Sequence, residues 1–356
     1  GKKRFPLGLY MAGHDDEDNL SRISKAGFNS LVSYQWGMWG HSAEKGVHPN
    51  ATAFLDRAQS HHLGVYYGLS ESYESHEHYV CKQEGACRPG QTGLDVARLY
   101  AQALHAHPAL LGWYIADEPK PEHAAATQAI YDMLRSEDPH RPCWITLLPW
   151  ENPVQLQLFY SSLDIMAVDP YPFGPSSGHT NRIEQVADAV DAAILASNGL
   201  KPVWAVIQTS PAANYYGTLE EGGPPTDAQI RVMTHLALVH GARGIFYYSY
   251  FDLMHFGKGA PSPDMAYFGS RWPGIVAAAA DVVFLSPILM DGEPADLDDG
   301  PGPMQGAVHL RAMLRKDFLE ILCVNPSSSA AGRKHLRLPP GKWGAPRVIR
   351  GFAVAT

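Results

Sequence analysis

The sequence is poor in cysteine, in charge and in long apolar runs, and each shortage removes a class of protein. Four cysteines in 356 residues are too few for a disulfide-built scaffold. Charged residues make up 18% and hydrophobic ones 45%, so disorder is excluded over most of the length and a large core can be buried. Positive charge is also short. Lys plus Arg number 28 against 36 Asp plus Glu, a net charge of -8, so no nucleic-acid partner is expected. No uninterrupted apolar run approaches the ~20 residues that span a bilayer, and no membrane partner is expected. What remains is a soluble, mildly acidic chain, expected to be monomeric. Its length suits one large domain with a small appendage.

Cys81 and Cys87 lie close together in CKQEGAC, a polar, Gly-containing stretch where a small disulfide loop would close easily; two free thiols are the alternative. Cys143 and Cys323 sit inside apolar runs and read as buried thiols. The sequons Asn19-Leu-Ser21 and Asn50-Ala-Thr52 are compatible with secretion, and an extracellular location is expected. His76-Glu-His78 and His61-His62 lack a third ligand at metal spacing, so neither a metal nor another cofactor is expected.

Short β-branched or aromatic runs alternate with longer amphipathic stretches. The strand candidates are Phe5–Ala12, Phe28–Tyr34, Gly64–Leu69, Leu111–Ala116, Trp144–Leu148, Ile165–Val168, Val203–Ile207 and Gly244–Ser249. Eight such runs, each followed by a helix or loop, predict an α/β fold, a (β/α)8 TIM barrel. Helix signals agree: Gly27 caps a C-terminus, Thr226 with Gln229 forms a capping box, Pro121 opens a helix, and Asp15–Asp18 reads as a solvated helix start. Trp272–Leu285 would be the eighth helix. Beyond Pro287 the texture changes to a Gly/Pro/Asp loop over 291–306 and the runs Val308–Leu314, Phe318–Val324 and His335–Leu338. The expected division is a barrel over 1–286 and a small antiparallel, β-sandwich-like domain over 287–356.

Barrels of this kind carry reactive groups at the C-terminal ends of the strands. Those positions hold Tyr34, Gln35, Trp36 and Trp39 after strand two, and Ser70, Glu71 and Tyr73 after strand three. Asp117 and Glu118 end strand four, Asp169, Tyr171 and Phe173 follow strand six, and Gln208 ends strand seven. Tyr248, Tyr250 and Asp252 close strand eight. Carboxylates ringed by aromatics suit glycoside cleavage, in which a carboxylic acid protonates the leaving oxygen and a carboxylate serves the oxocarbenium-like centre. Aromatic rings would stack on apolar sugar faces while Gln, Tyr and Asp hydrogen-bond hydroxyls. The long loops Thr209–Pro225 and Asp252–Ser270, with Tyr215, Tyr216, His255, Phe256 and Tyr267, read as sugar-binding walls or a lid. Trp113 and Tyr114 are expected to wall a pocket that raises the Glu118 pKa.

The run LLGWYIADEP, ending in Asp117-Glu118-Pro119, resembles the strand-four motif of clan A glycoside hydrolase barrels, usually Asn-Glu-Pro with the Glu as general acid/base. The resemblance spans the barrel, including GIFYYSY on strand eight, and the β-rich tail that such enzymes often carry. It implies a glycosidase with Glu118 as acid and a carbohydrate as partner. Two positions depart from the pattern: Asp117 stands where clan A has Asn, and Gln208, in VWAVIQTS, stands where clan A has its nucleophilic Glu. Three readings follow. Adjacent Asp-Glu pairs also occur in N-acetylhexosaminidases, a similarity that would make Asp117 the residue orienting a substrate acetamido group. Inversion would instead pair Glu118 with a base ~6.5–9.5 Å away, Asp169 first and Glu71 next. Gln208 as an engineered replacement of a catalytic Glu is the third. The pairing of Glu118 with Asp169 is favoured slightly, as a pair able to span the mouth. A carbohydrate-binding barrel without hydrolysis and a lyase or transglycosylase are the rival functions.

Overall fold

A computed structural model of the chain describes residues 4–11, 13–33, 38, 41–73, 79–148, 152–175, 181–215, 223–256, 262–295, 297, 308–327, 338 and 343–348. Eight parallel strands close into a barrel in sequence order: β1 (Leu7–Met11), β2 (Ser30–Ser33), β3 (Gly64–Gly68), β4 (Leu110–Asp117), β5 (Cys143–Leu147), β6 (Ile165–Val168), β7 (Val203–Gln208) and β8 (Ile245–Tyr248). β8 pairs with β1 to complete the circle. Around it lie α1 (Glu17–Lys25), α2 (Pro49–Ser60), α3 (Gly93–Leu104), α4 (Ala124–Glu137), α5 (Pro153–Gln157), α6 (Gln185–Ala196), α7 (Asp227–His240), α8 (Tyr250–Met254) and α9 (Met265–Asp291).

Alternation along each strand makes two cores. Leu7, Leu9 and Met11 of β1 join the layer beneath the helices, whereas Tyr10 faces the barrel axis with Tyr66, Tyr114, Trp144, Trp204 and Phe246. The rings fill the lumen: Trp144 lies 4.8 Å from both Trp204 and Phe246, centroid to centroid. Gly8 is small because a Cβ there would stand 2.1 Å from the Phe246 ring. The lumen is therefore packed, and chemistry is confined to its mouth.

The local signals act as expected at the helix ends. Asp16 caps α1 by accepting from Asn19 N–H at 3.0 Å. Thr226 and Gln229 close the capping box of α7, and Gly241 ends that helix at φ 108°. Pro121 opens a short 3-10 turn that leads into α4. Cys81 and Cys87 form a disulfide, and Cys143 is a buried free thiol.

Three expectations are corrected at the C-terminal end. α9 continues past the expected boundary at 286/287 and contains both Pro273 and Pro287. Pro287 cannot donate to the Val283 carbonyl, and the Ser286 hydroxyl does so instead, at 2.9 Å. By length and composition α9 is apolar enough to cross a membrane, while Phe268, Ile275, Ala278, Ala279, Val282 and Leu289 are buried against the barrel's outer layer. The second correction concerns the tail: among the described residues it is one antiparallel sheet, β11-β10-β9, not a sandwich. Its strands are β9 (Glu293–Ala295), which lies in the stretch read as loop, β10 (His309–Arg315) and β11 (Phe318–Val324). Residues 335–337 of the expected third run lie outside the described residues. The third correction is Cys323, which is exposed because Leu322 and Val324 take the inward face of β11. Met313, Leu322 and Val324 join the core under the barrel helices, so the sheet is welded to the barrel.

Candidate active site

The site begins with a bulge in β4. Tyr114 pairs with Trp144 and Ala116 with Ile145, which leaves Ile115 as an extra residue. Without it, Tyr114 and Asp117 would face opposite sides of the sheet. With it, both turn to the barrel axis, and the Tyr114 hydroxyl donates to the Asp117 carboxylate. The next residue, Glu118, has φ 44°, in the left-handed region that costs a non-glycine residue of order 1–3 kcal/mol. Its N–H is held by the Thr146 carbonyl at 2.9 Å. The Thr146 hydroxyl shares a hydrogen bond of 2.9 Å with the Tyr10 phenol. β5 thus fixes the bend that brings both acidic residues to one mouth.

Asp169, one residue past β6, is buried and reaches Glu118 through a side-chain hydrogen bond. Two neighbouring carboxyls each disfavour the other's ionisation. Burial, and then the Asp117 charge, push the Glu118 carboxyl up to about 7. Asp169 moves well upward, first through burial and then through the Glu118 charge. Glu118 lies open to water at the mouth with protein on its other sides; Asp169 is covered, and its Oδ1 has no hydrogen-bond partner. The expected separation of this pair across the mouth is therefore corrected. The two side chains lie within hydrogen-bonding reach, closer than the ~6.5–9.5 Å that an inverting pair uses.

Glu71 lies in a 3-10 turn after β3, buried, with the Met38 N–H on its carboxylate and Oε2 unpartnered. Burial raises it to about 7, and the Asp117 charge adds to the rise. Tyr171 and Tyr248 stand 5.8 Å apart, centroid to centroid, at the rim of the aromatic core. Tyr248 senses both Asp117 and Glu118, and its phenol is raised chiefly by burial. Tyr215 donates to Asp252 at 2.8 Å, and buried Asp252 also accepts from Asn214 at 2.8 Å. A second pair closes this wall: His14 and His255 meet ring to ring at 2.8 Å between Nε2 atoms.

Several candidate residues stand elsewhere. Gln208 is buried, and both ends of its amide are used: Oε1 accepts from Phe173 N–H at 3.0 Å and Nε2 donates to Phe173 O at 2.7 Å. A carboxylate in its place would meet that carbonyl oxygen, so the amide fits this backbone as a glutamine. Tyr250, expected at the mouth, is fully buried under the helices and donates to Asn19 Oδ1 at 2.7 Å. β8 ends at Tyr248 and α8 begins at Tyr250, which breaks the alternation that would have kept the two tyrosines on one face. Trp113 also faces the outer layer, where its Nε1 donates to Asp138 at 3.0 Å; Tyr114 alone of that pair lines the axis. Tyr34, Gln35, Trp36, Trp39 and Tyr216 lie outside the described residues. Tyr10 was not among the sequence candidates. Its phenol is raised by burial and then by Asp117, and its signal was inward alternation with Gly8 next to the end of β1.

No family model and no curated protein matches the chain. Solved structures share its fold. A β-galactosidase from the psychrophilic Marinomonas ef1 superposes with a TM-score of 0.60 at 14% identity, over 79% of this chain and 60% of that one. A β-galactosidase from Rahnella sp. R3 gives 0.62 at 12% identity, over 82% and 57%. A family 5 glycoside hydrolase from Bacteroides vulgatus gives 0.60 at 14% identity, over 89% and 75%. The chain spans about 60% of the length of the first of these. At such identities the likeness establishes a common fold, a (β/α)8 barrel.

Proposed function

We propose that the chain is a glycoside hydrolase whose general acid is Glu118. The observation that carries this reading is the Glu118–Asp169 hydrogen bond at the barrel mouth, with Asp117 on the adjoining position. A carboxyl pair with raised pKa values keeps a proton near neutrality, which a glycosidic leaving oxygen needs as its bond breaks. Asp169 holds that proton against Glu118. Asp117, held by Tyr114, is the carboxylate we assign to the anomeric centre or to orienting a neighbouring substrate group. The contact between Glu118 and Asp169 favours this division over Asp169 as a distant base, and Glu71 remains the second candidate for that role. Tyr171, Tyr215 and Tyr248 supply sugar-stacking surface. The glycosidases among the solved relatives make the carbohydrate reading the natural one for this mouth. The Cys81–Cys87 disulfide favours secretion, since such bonds persist in oxidising compartments.

The test is a panel of chromogenic glycosides and polysaccharides, with proton NMR of the first-formed product. Turnover that disappears in Glu118→Gln supports the reading; binding without turnover in the parent protein contradicts it. Turnover restricted to 2-acetamido sugars, with retention, would assign Asp117 to the acetamido. Inversion would assign the base role to Glu71.

A further inference from the structure

We propose that Gln208 is a positioning residue: it grips the backbone at Phe173 and so sets where the segment 169–173, with Asp169 and Tyr171, lies over Glu118. The effect on turnover rests on the glycosidase reading; the grip itself does not. Gln208 is the last residue of β7, 2% exposed, and its amide exchanges two hydrogen bonds with one residue, Phe173, as opposed residues do in an antiparallel ladder. The Nε2 group also lies 3.4 Å from Ser210 O. The segment has little means of holding itself. Pro170 and Pro172 have no N–H to give, so Phe173 offers its first donor after Tyr171. Next to the grip, the Pro172 carbonyl accepts from Asn181 N–H at 2.8 Å. Between these anchors and β6 stand the two side chains the mouth uses: Asp169, bonded to Glu118, and Tyr171, against Tyr248.

The chemistry of the grip explains the residue. Facing both an N–H and a C=O, position 208 needs one acceptor and one donor on a planar group. Glutamine supplies both, a protonated glutamate would supply both, and an ionised glutamate would keep the bond from Phe173 N–H but set its other lone-pair-bearing oxygen against the Phe173 and Ser210 carbonyls. Gln208→Glu therefore converts a permanent grip into one that holds only while the introduced carboxyl keeps its proton, a state its burial favours in acid.

The experiment measures Phe173 amide exchange, the carboxyl titration of Asp169 by 13C NMR, and kcat against pH, in the parent protein, Gln208→Glu and Gln208→Ala. Expected for Gln208→Glu is Phe173 exchange within about threefold of the parent at pH ~5 and about tenfold or more faster at pH ~8, as a local opening allows. The Asp169 titration and kcat should follow the same switch, with kcat falling up to about a hundredfold, the scale of a misplaced catalytic group. Gln208→Ala should lose the grip at both pH values; if it does not fold, Gln208→Glu in acid still carries the test. Unchanged Phe173 exchange in the variants overturns the proposal, as does an Asp169 titration that does not move. Gln208→Glu more active than the parent at every pH overturns it too, since the position would then be a nucleophile site. If the parent turns over no glycoside, the glycosidase reading falls while exchange and titration still decide the grip.

Discussion

The Tyr114 phenol donates to the Asp117 carboxylate three residues along the same strand, a contact that exists only because Ile115 is unpaired in the β4–β5 ladder. Tyr114→Phe keeps the ring in the barrel layer and removes a bond to a charged acceptor, worth roughly 1.5–3 kcal/mol. The urea midpoint should fall with the m-value unchanged, and kcat should fall with it. A midpoint equal to the parent's would mean that Asp117 finds an equivalent donor.

The Glu118–Asp169 pair makes stability depend on pH in a definite direction. A carboxyl whose folded pKa lies above its unfolded value, ~3.9 for Asp, holds its proton more tightly in the folded chain. Its contribution is complete below the unfolded value and is lost as pH rises through the folded one. Glu118 rises to about 7, and Asp169 and Glu71 shift the same way. The melting temperature should therefore decline from pH ~5 to pH ~8. Asp169→Asn, neutral at both, should be less sensitive and gain on the parent at the higher pH. A constant difference between the two proteins across that range would refute the shared proton.

Eight strands were legible because they are short runs buried on both faces, and that pattern depends little on distant contacts. β9 was not, being a three-residue edge strand with a proline in it, Glu293-Pro294-Ala295. The reach of α9 was hidden for a related reason, since Pro287 reads as a stop until the Ser286 hydroxyl is seen on the carbonyl it leaves open. At the mouth, strand-end position singled out Asp117, Glu118 and Asp169. Their mutual contact depends on a bulge at Ile115 and a left-handed Glu118, neither of which hydrophobic periodicity encodes. Tyr250 was misplaced because a helix begins where a strand was expected to run on.

Arg231 of α7 donates to Asp281 of α9 through Nε at 3.0 Å and Nη2 at 2.8 Å, and the aspartate is fully buried. Arg231→Met would leave a buried carboxylate without its guanidinium, a loss of roughly 3–5 kcal/mol. Arg231→Met with Asp281→Leu should recover part of it. Chemical denaturation of both variants checks this; a single variant within about 1 kcal/mol of the parent would show that the pair does not hold α9 to α7.

Glu118 as proton donor is the central assignment, and dependence on the leaving group tests it without an intermediate step. A general acid contributes ~10²–10⁴-fold where the departing oxygen needs a proton and far less where it does not. The measurement is kcat/KM of Glu118→Gln against the parent on two glycosides of one sugar, one with an alkyl or sugar leaving group and one with a dinitrophenyl group. A proton-donating Glu118 predicts a loss of about a thousandfold on the first and a small one on the second, with the alkaline limb near pH ~7 gone from the variant. An equal loss on both substrates, or none on either, would contradict it.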